Sequence, residues 1–201
     1  MIHPETELRF INETVGYGVV AKTFIPRGTV VWVQDDLDRA FTATDIDLLD
    51  PPVREYLEKY SFTNNKGEKV LCWDHAKFVN HSFNSNCMST AYDFEIAIRD
   101  IHPGEQLTDD YGYLNIAAPF VPEDEGTVRK VVYPDDVLKY HTLWDESVRQ
   151  NLNNFKSVSQ PLLKFIKAAQ LDAFEQVCCG QAELRSVKSC YYDTRVTYLG
   201  H

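Results

Sequence analysis

Lys, Asp or Glu interrupts every apolar run in this sequence, so no stretch reaches the length of a bilayer span. Cysteine is sparse and uneven. The five thiols form no even-numbered framework, and a reducing compartment is expected. Repeats and low-complexity tracts are missing as well. With 44% hydrophobic and 12% aromatic residues, wholesale disorder is excluded. There is no excess of basic charge: the net is −10, and it is unevenly spread. Residues 1–120 carry 19 acidic against 10 basic side chains, whereas residues 121–201 carry 11 against 10. Such an acidic field repels nucleic-acid phosphate and concentrates basic partners, although the same charge also serves solubility. Direct nucleic-acid binding is therefore not expected. The opening Met1-Ile2-His3-Pro4-Glu5 lacks the basic and apolar regions of a secretory leader. A cytoplasmic setting is expected, with a nuclear or secreted-effector destination left open.

What is present divides into two parts. Leu8 to Val33 reads as strand-rich, with the Gly16-Tyr17-Gly18 turn feeding Val19-Val20, and with Val30 to Val33 as a buried strand. Thr44-Asp45-Ile46-Asp47 predicts a capped short helix, and Pro51-Pro52 a second one. Asn64 to Gly67 reads as a hairpin turn, and Ser89 to Arg99 as a strand. Pro119, Pro122 and Glu123 to Gly126 form a breaker-rich linker. Beyond it, Arg129 to Tyr133 suggests a strand, and Pro134 to Phe155 has helical apolar spacing. Ser159 with Pro161 marks the start of a further helix that Gly180 stops. The expected organisation is a β-rich unit over residues 1–120 and a mostly helical extension over residues 121–201.

Two segments carry the functional signal. The first is Asn80-His81-Ser82-Phe83-Asn84-Ser85-Asn86-Cys87; the second is Gly104-Glu105-Gln106-Leu107-Thr108-Asp109-Asp110-Tyr111-Gly112-Tyr113. Together with the upstream Gly16-Tyr17-Gly18, in this order, they resemble the signature of SET-domain protein lysine methyltransferases. The resemblance covers about residues 7–115. It implies a mixed, mainly β SET fold, with small curved sheets around a pseudo-knotted core. It also implies methyl transfer from S-adenosylmethionine to a lysine of a protein substrate, histone or other basic protein. Cofactor and peptide would enter from opposite faces. Gly16, Tyr17, Gly18, Asn80, His81 and Tyr111 match the cofactor-binding positions, and Tyr111 matches the catalytic tyrosine. Tyr113 and Tyr92 are candidates for lining the lysine channel.

The chemistry asked of such a site is narrow. A lysine with reference pKa ~10.4 must give up its proton, at a cost of about 4 kcal/mol at neutral pH. Desolvation and a nearby positive sulfonium both lower that cost. A phenol of pKa ~10 is a poor base at neutral pH, so Tyr111 is expected to orient groups rather than take a proton. Glu105 reads as structural, capping a turn or pairing with a basic residue, and Asp109 and Asp110 read as solvated acids, with attraction of a basic substrate as the alternative. Many family members have a cysteine where Phe83 stands, which joins three downstream cysteines around zinc. Here Cys178 and Cys179 are adjacent and Cys190 lies apart, so the two-residue ligand spacing is missing and no metal is expected. The pattern instead resembles the zinc-free N-H-S-F-x-x-N-C branch. The competing expectation is a catalytically silent SET module that binds a basic peptide or partner protein.

Overall fold

The computed structural model describes residues 1–193. Its first element is a ribbon of β1 (Thr6–Asn12) and antiparallel β2 (Gly16–Ala21). The turn between them is held by Asn12 Oδ1, which accepts from the N–H groups of Thr14 and Val15 at 2.9 and 2.8 Å. Gly16 closes the turn at φ +79°, a conformation that favours glycine. β3 (Val30–Val33) is buried along its length, as four β-branched or aromatic residues in a row would require. A second small sheet pairs β4 (Arg39–Phe41) with β6 (Lys69–Leu71) and β5 (Ser61–Thr63). The helices α1 (Ala43–Asp47) and α2 (Pro51–Tyr60) are inserted between its strands. The capping box of α1 belongs to Thr42 and Asp45, not Thr44: Thr42 N–H donates to Asp45 Oδ2 at 2.9 Å, and Asp45 N–H returns to Thr42 Oγ1 at 3.2 Å.

The central sheet has the order β3, β9 (Phe94–Ala97), β8 (Cys87–Ser89), all antiparallel. The single strand expected from Ser89 to Arg99 is a hairpin, turned where Asp93 adopts φ +61° and Thr90 Oγ1 donates to Phe94 O at 2.7 Å. Asn80–His81 (β7) and Thr108–Asp109 (β10) form a parallel pair, Thr108 opposite Asn80 and Asp109 opposite His81. That short pairing puts the two motif segments side by side.

Past the linker, the strand expected at Arg129 to Tyr133 is only a single bridge between Val132 and Phe120. Helices follow: α3 (Asp136–Arg149), α4 (Leu152–Ser157) and α5 (Ala168–Cys178). The last starts later than Ser159 and Pro161 suggest, because a 3-10 turn at Leu163–Phe165 intervenes. Its end agrees, with Gly180 at φ +70°. These helices share a core with the central sheet. Phe94 stacks on Phe155 at 6.3 Å and meets Phe174 edge-on at 4.9 Å, and Val30, Ile96 and Tyr113 join Trp144, Val148 and Val177. The two parts divided at residue 120 by composition are therefore packed as one apolar body. Among the described residues, no helix is long and apolar enough to cross a membrane.

Candidate active site

Three stretches distant in sequence converge on Asn80. Leu107 N–H donates to Val19 O at 2.8 Å and Ala21 N–H to Glu105 O at 2.9 Å, so the Gly104 segment runs beside β2. Asn80 Nδ2 then donates to Tyr17 O at 3.1 Å and to Gln106 Oε1 at 3.0 Å, tying the glycine turn to both motifs. Asn86 adds a second stitch. Its Nδ2 donates to Gln106 O at 2.8 Å, and its Oδ1 accepts from Thr108 N–H at 2.9 Å. Neither Gln106 nor Asn86 stood out in the sequence as a positioning residue; the signal was their place inside the motif runs.

Gly18 is glycine for a reason internal to the protein. A Cβ there would lie 2.4 Å from Gln106 Oε1 and 2.8 Å from Asn80 Nδ2. Gly16 differs, since a Cβ there would meet nothing within 4 Å. The turn thus combines a tight contact at one glycine with open space at the other. Tyr17, between them, is exposed and makes edge-on contacts with Phe10 and Phe78.

Tyr111 stands at the junction. Its N–H donates to His81 Nδ1 at 3.1 Å and its hydroxyl to Val79 O at 2.8 Å. Because Nδ1 accepts, the ring proton of neutral His81 belongs on Nε2. Burial pushes the His81 pKa down, which keeps the ring neutral. His81 Nε2 is buried with no partner among the described residues, inside a cage formed by Phe83, Tyr111 and Phe120. Burial and the nearby Asp109 carboxyl push the Tyr111 phenol up, so it holds its proton at any ordinary pH.

On its other side Tyr111 lines a cavity of about 610 Å³. Tyr113 shares that wall and donates from its hydroxyl to Asp109 Oδ1 at 2.9 Å. The outer walls come from α2 and β5 (Glu58 to Asn65), from Leu114 to Ala117, and from Arg185 to Cys190. Tyr92 is not on the wall. It is 2% exposed, its ring packs on Phe94 and Phe174, and its hydroxyl accepts from Arg185 N–H at 2.9 Å. Tyr92 lies within the run read as one strand, and the hairpin at Asp93 turns it into the core.

The acids also differ from expectation. Asp109 and Asp110 are 5% and 2% exposed rather than solvated. Asp110 forms an ion pair with Arg129, which bonds Asp136 at 2.6 Å as well and lies over the rings of Phe83 and Tyr140 at 4.6 and 4.4 Å. Glu105 is the turn cap it was read as, with its Oε2 accepting from His102 N–H at 2.7 Å. Cys178 and Cys190 are partly buried thiols whose pKa values burial raises to about 11, and Cys179 is exposed. Among the described residues, no three His, Cys, Asp or Glu side chains are grouped to hold a metal ion.

No curated protein matches the chain. The family model described as the SET domain does match, over residues 16–112, a span that contains the glycine turn, the first motif segment and the second as far as Gly112, Tyr111 included. The matched stretch is thus similar to a SET domain.

Proposed function

We propose that this protein transfers a methyl group from S-adenosylmethionine to the side-chain amine of a lysine on a basic protein. One observation carries the reading: Tyr111 bridges a motif-built surface bearing Asn80 and His81 and a cavity of about 610 Å³ with aromatic walls and ample room for a side chain. The cofactor would be held by the Gly16-Tyr17-Gly18 backbone, by the Asn80 carboxamide oxygen and by His81. The residues present fit it. His81 Nε2–H is a buried donor without a protein acceptor, and the space beside Gly16 is open. When bound, it supplies an electrophilic methyl group on a sulfonium.

The chain's own residues do the positioning. The Tyr111 hydroxyl spends its proton on Val79 O, which leaves its oxygen lone pairs to accept from the amine or the reacting methyl. Since the phenol holds its proton, it orients and does not act as a base. The cavity removes the lysine from water, which lowers its pKa toward the neutral nucleophile, and its ring walls suit a cation during entry. Holding amine and methyl in line is worth several kcal/mol. The acidic charge of residues 1–120 favours a basic protein partner. The knot-like threading of the family belongs to this reading too.

The test is incubation with labelled S-adenosylmethionine and a lysate or histone panel, with labelled lysines mapped by mass spectrometry. Transfer is expected, and Tyr111→Phe should lower it at least 100-fold while the thermal midpoint stays within a few degrees. Turnover unchanged in that variant would remove Tyr111 from the mechanism. Cofactor binding without transfer across the panel would favour the silent peptide-binding module instead.

A further inference from the structure

The ribbon that carries the glycine turn has one covered edge and one open one. On the covered edge, Val19 O accepts from Leu107 N–H at 2.8 Å and Ala21 N–H donates to Glu105 O at 2.9 Å, so the backbone groups of Val19 and Ala21 point away from β1. Direction alternates residue by residue along an antiparallel strand. Gly18 and Val20 therefore point toward β1, where they lie opposite Arg9 and Glu7. Lys22 N–H, which donates to Glu5 O at 2.8 Å, continues the same alternation. The N–H and C=O groups of Leu8 and Phe10 are left facing outward. Among the described residues, β1 pairs only with β2, and no other group is bonded to that outer edge.

The side chains there are not those of a guarded edge. At seven residues β1 is the longest of the described strands, and its pairing is regular as far as Phe10. Leu8 is 42% and Phe10 49% exposed, and the exposed Tyr17 ring meets Phe10 edge-on at 5.7 Å. Open edges are normally short, or carry lysine or proline that prevents pairing; a long one with exposed apolar side chains invites another strand. Between these apolar positions stand Glu7 and Arg9, exposed and ion-paired with each other.

We propose that the outer edge of β1 is covered by a second copy of this chain, paired antiparallel about a two-fold axis at Leu8. Thr6-Glu7-Leu8-Arg9-Phe10 is self-complementary in that register. Leu8 lies opposite Leu8 of the second copy, where both backbones face outward and exchange a pair of N–H···O bonds. Glu7 of each copy lies opposite Arg9 of the other, in the narrow pairs where side chains approach most closely. Opposite charges facing across strands favour the pairing, and like charges oppose it. Centring the axis on Arg9 also matches outward backbones but sets Arg9 against Arg9. Centring it on Phe10 sets Arg9 against Ile11, where the pairing with β2 is already irregular. The charges thus select one register, and a second copy supplies both of them at the required spacing. The product is a four-stranded sheet in which the two β1 strands are central, closed as a dimer by its own symmetry. One strand pair is a small interface, so dissociation in the micromolar range is expected.

The test is sedimentation velocity on the full chain, from low micromolar to several hundred micromolar. The wild type should pass from monomer to dimer across that range. Arg9→Glu and Glu7→Arg each set like charges opposite one another, and each should weaken the dimer at least tenfold. The double exchange, Glu7→Arg with Arg9→Glu, should restore it. Both positions are exposed, so the fold should tolerate the changes. Amide exchange followed by NMR gives a second readout. Protection of Leu8 and Phe10 should rise with chain concentration, whereas that of Glu7 and Arg9, directed at β2, should not. A wild type that stays monomeric throughout would overturn the proposal. So would a dimer that both single variants leave intact, or that the double exchange fails to restore. Neither readout uses turnover, so the result is independent of the methyl-transfer reading.

Discussion

The two sides of Tyr111 are built in different ways. One side is made of contiguous motif residues: Asn80 and His81 on a two-residue strand, paired directly with Thr108 and Asp109 and stitched by Gln106 and Asn86. The other side is a cavity gathered from at least six separate stretches, from Ile2 to Cys190. A ligand whose shape is fixed can be met by a short, fixed set of residues. A side chain arriving on a variable protein surface needs walls that differ from one protein to another. Under the methyl-transfer reading, the motif side would meet the invariant cofactor and the cavity side the substrate.

The sharpest way to break that comparison is to ask whether the motif side stands alone. Arg129 links it to α3, pairing Asp110, next to the candidate catalytic tyrosine, with Asp136 at the start of the helix. Arg129→Met keeps the aliphatic bulk but leaves the buried Asp110 without an ion pair and Asp136 with only Lys139 at 3.9 Å. Removing one partner from such a cluster costs about 3–5 kcal/mol. For a chain of this size that corresponds to a fall in the thermal midpoint of roughly 10 °C, measurable by calorimetry. A change within 1–2 °C would show that the motif face needs no support from residues past 120.

The next test sharpens the contrast from the cavity side. The Asp109 pKa is raised from 3.8 to about 6 because burial penalises the charged form. The native state then binds more protons than the unfolded chain between about pH 4 and 6, so stability falls as pH rises through that window. Above it the penalty is constant, on the order of 3 kcal/mol for two units. Asp109→Asn removes the ionisable group while keeping an oxygen to accept from Tyr113. Its denaturant-unfolding curve is expected to show higher stability than the wild type at pH 7.5, a flatter pH profile, and convergence near pH 4. Equal wild-type and variant stability at pH 7.5 would mean that the carboxyl is already compensated.

These two clusters also show what could be read in advance. Gly16, Asn80, His81 and Tyr111 stand out in the sequence because they sit in contiguous motifs, and the hairpin turn at Asn64 to Gly67 was legible because local backbone chemistry fixes it. Asp109 and Asp110 read as solvated because their burial depends on Arg129, Glu95 and Trp144, which arrive from elsewhere in the chain. Tyr92, named as a channel candidate, lies in the core instead, in a run read as one strand that Asp93 at positive φ turns into a hairpin. The helices past 134 were visible from apolar spacing. That they pack on the β-rich part was expected as well; which side chains meet the central sheet was not, since long-range packing leaves no periodic trace.

A smaller effect is expected at Gly18. An added methyl would collide with Gln106 Oε1 and Asn80 Nδ2, both side-chain ends that can shift. Gly18→Ala should therefore cost little stability but displace the Asn80 carboxamide. Calorimetry should show S-adenosylmethionine binding weakened about tenfold, equivalent to roughly 1.4 kcal/mol, with the affinity of an amine probe for the cavity unchanged. Loss of both affinities together would mean that the two sides of Tyr111 are not separable.

The smallest effect separates two tyrosines that look alike in sequence. Tyr92→Phe deletes the acceptor of Arg185 N–H in a packed interior, worth about 1 kcal/mol of stability. Turnover should not change, because the ring stays against Phe94 and Phe174, off the cavity wall. Tyr113→Phe deletes a donor to Asp109 on the wall itself. Losing that bond raises the Asp109 pKa further, so the variant's pH–rate profile should move to higher pH while that of Tyr92→Phe overlays the wild type. The contrast follows from one geometric fact: Tyr113 faces the space that a substrate would fill, and Tyr92 faces the helices that hold the sheet.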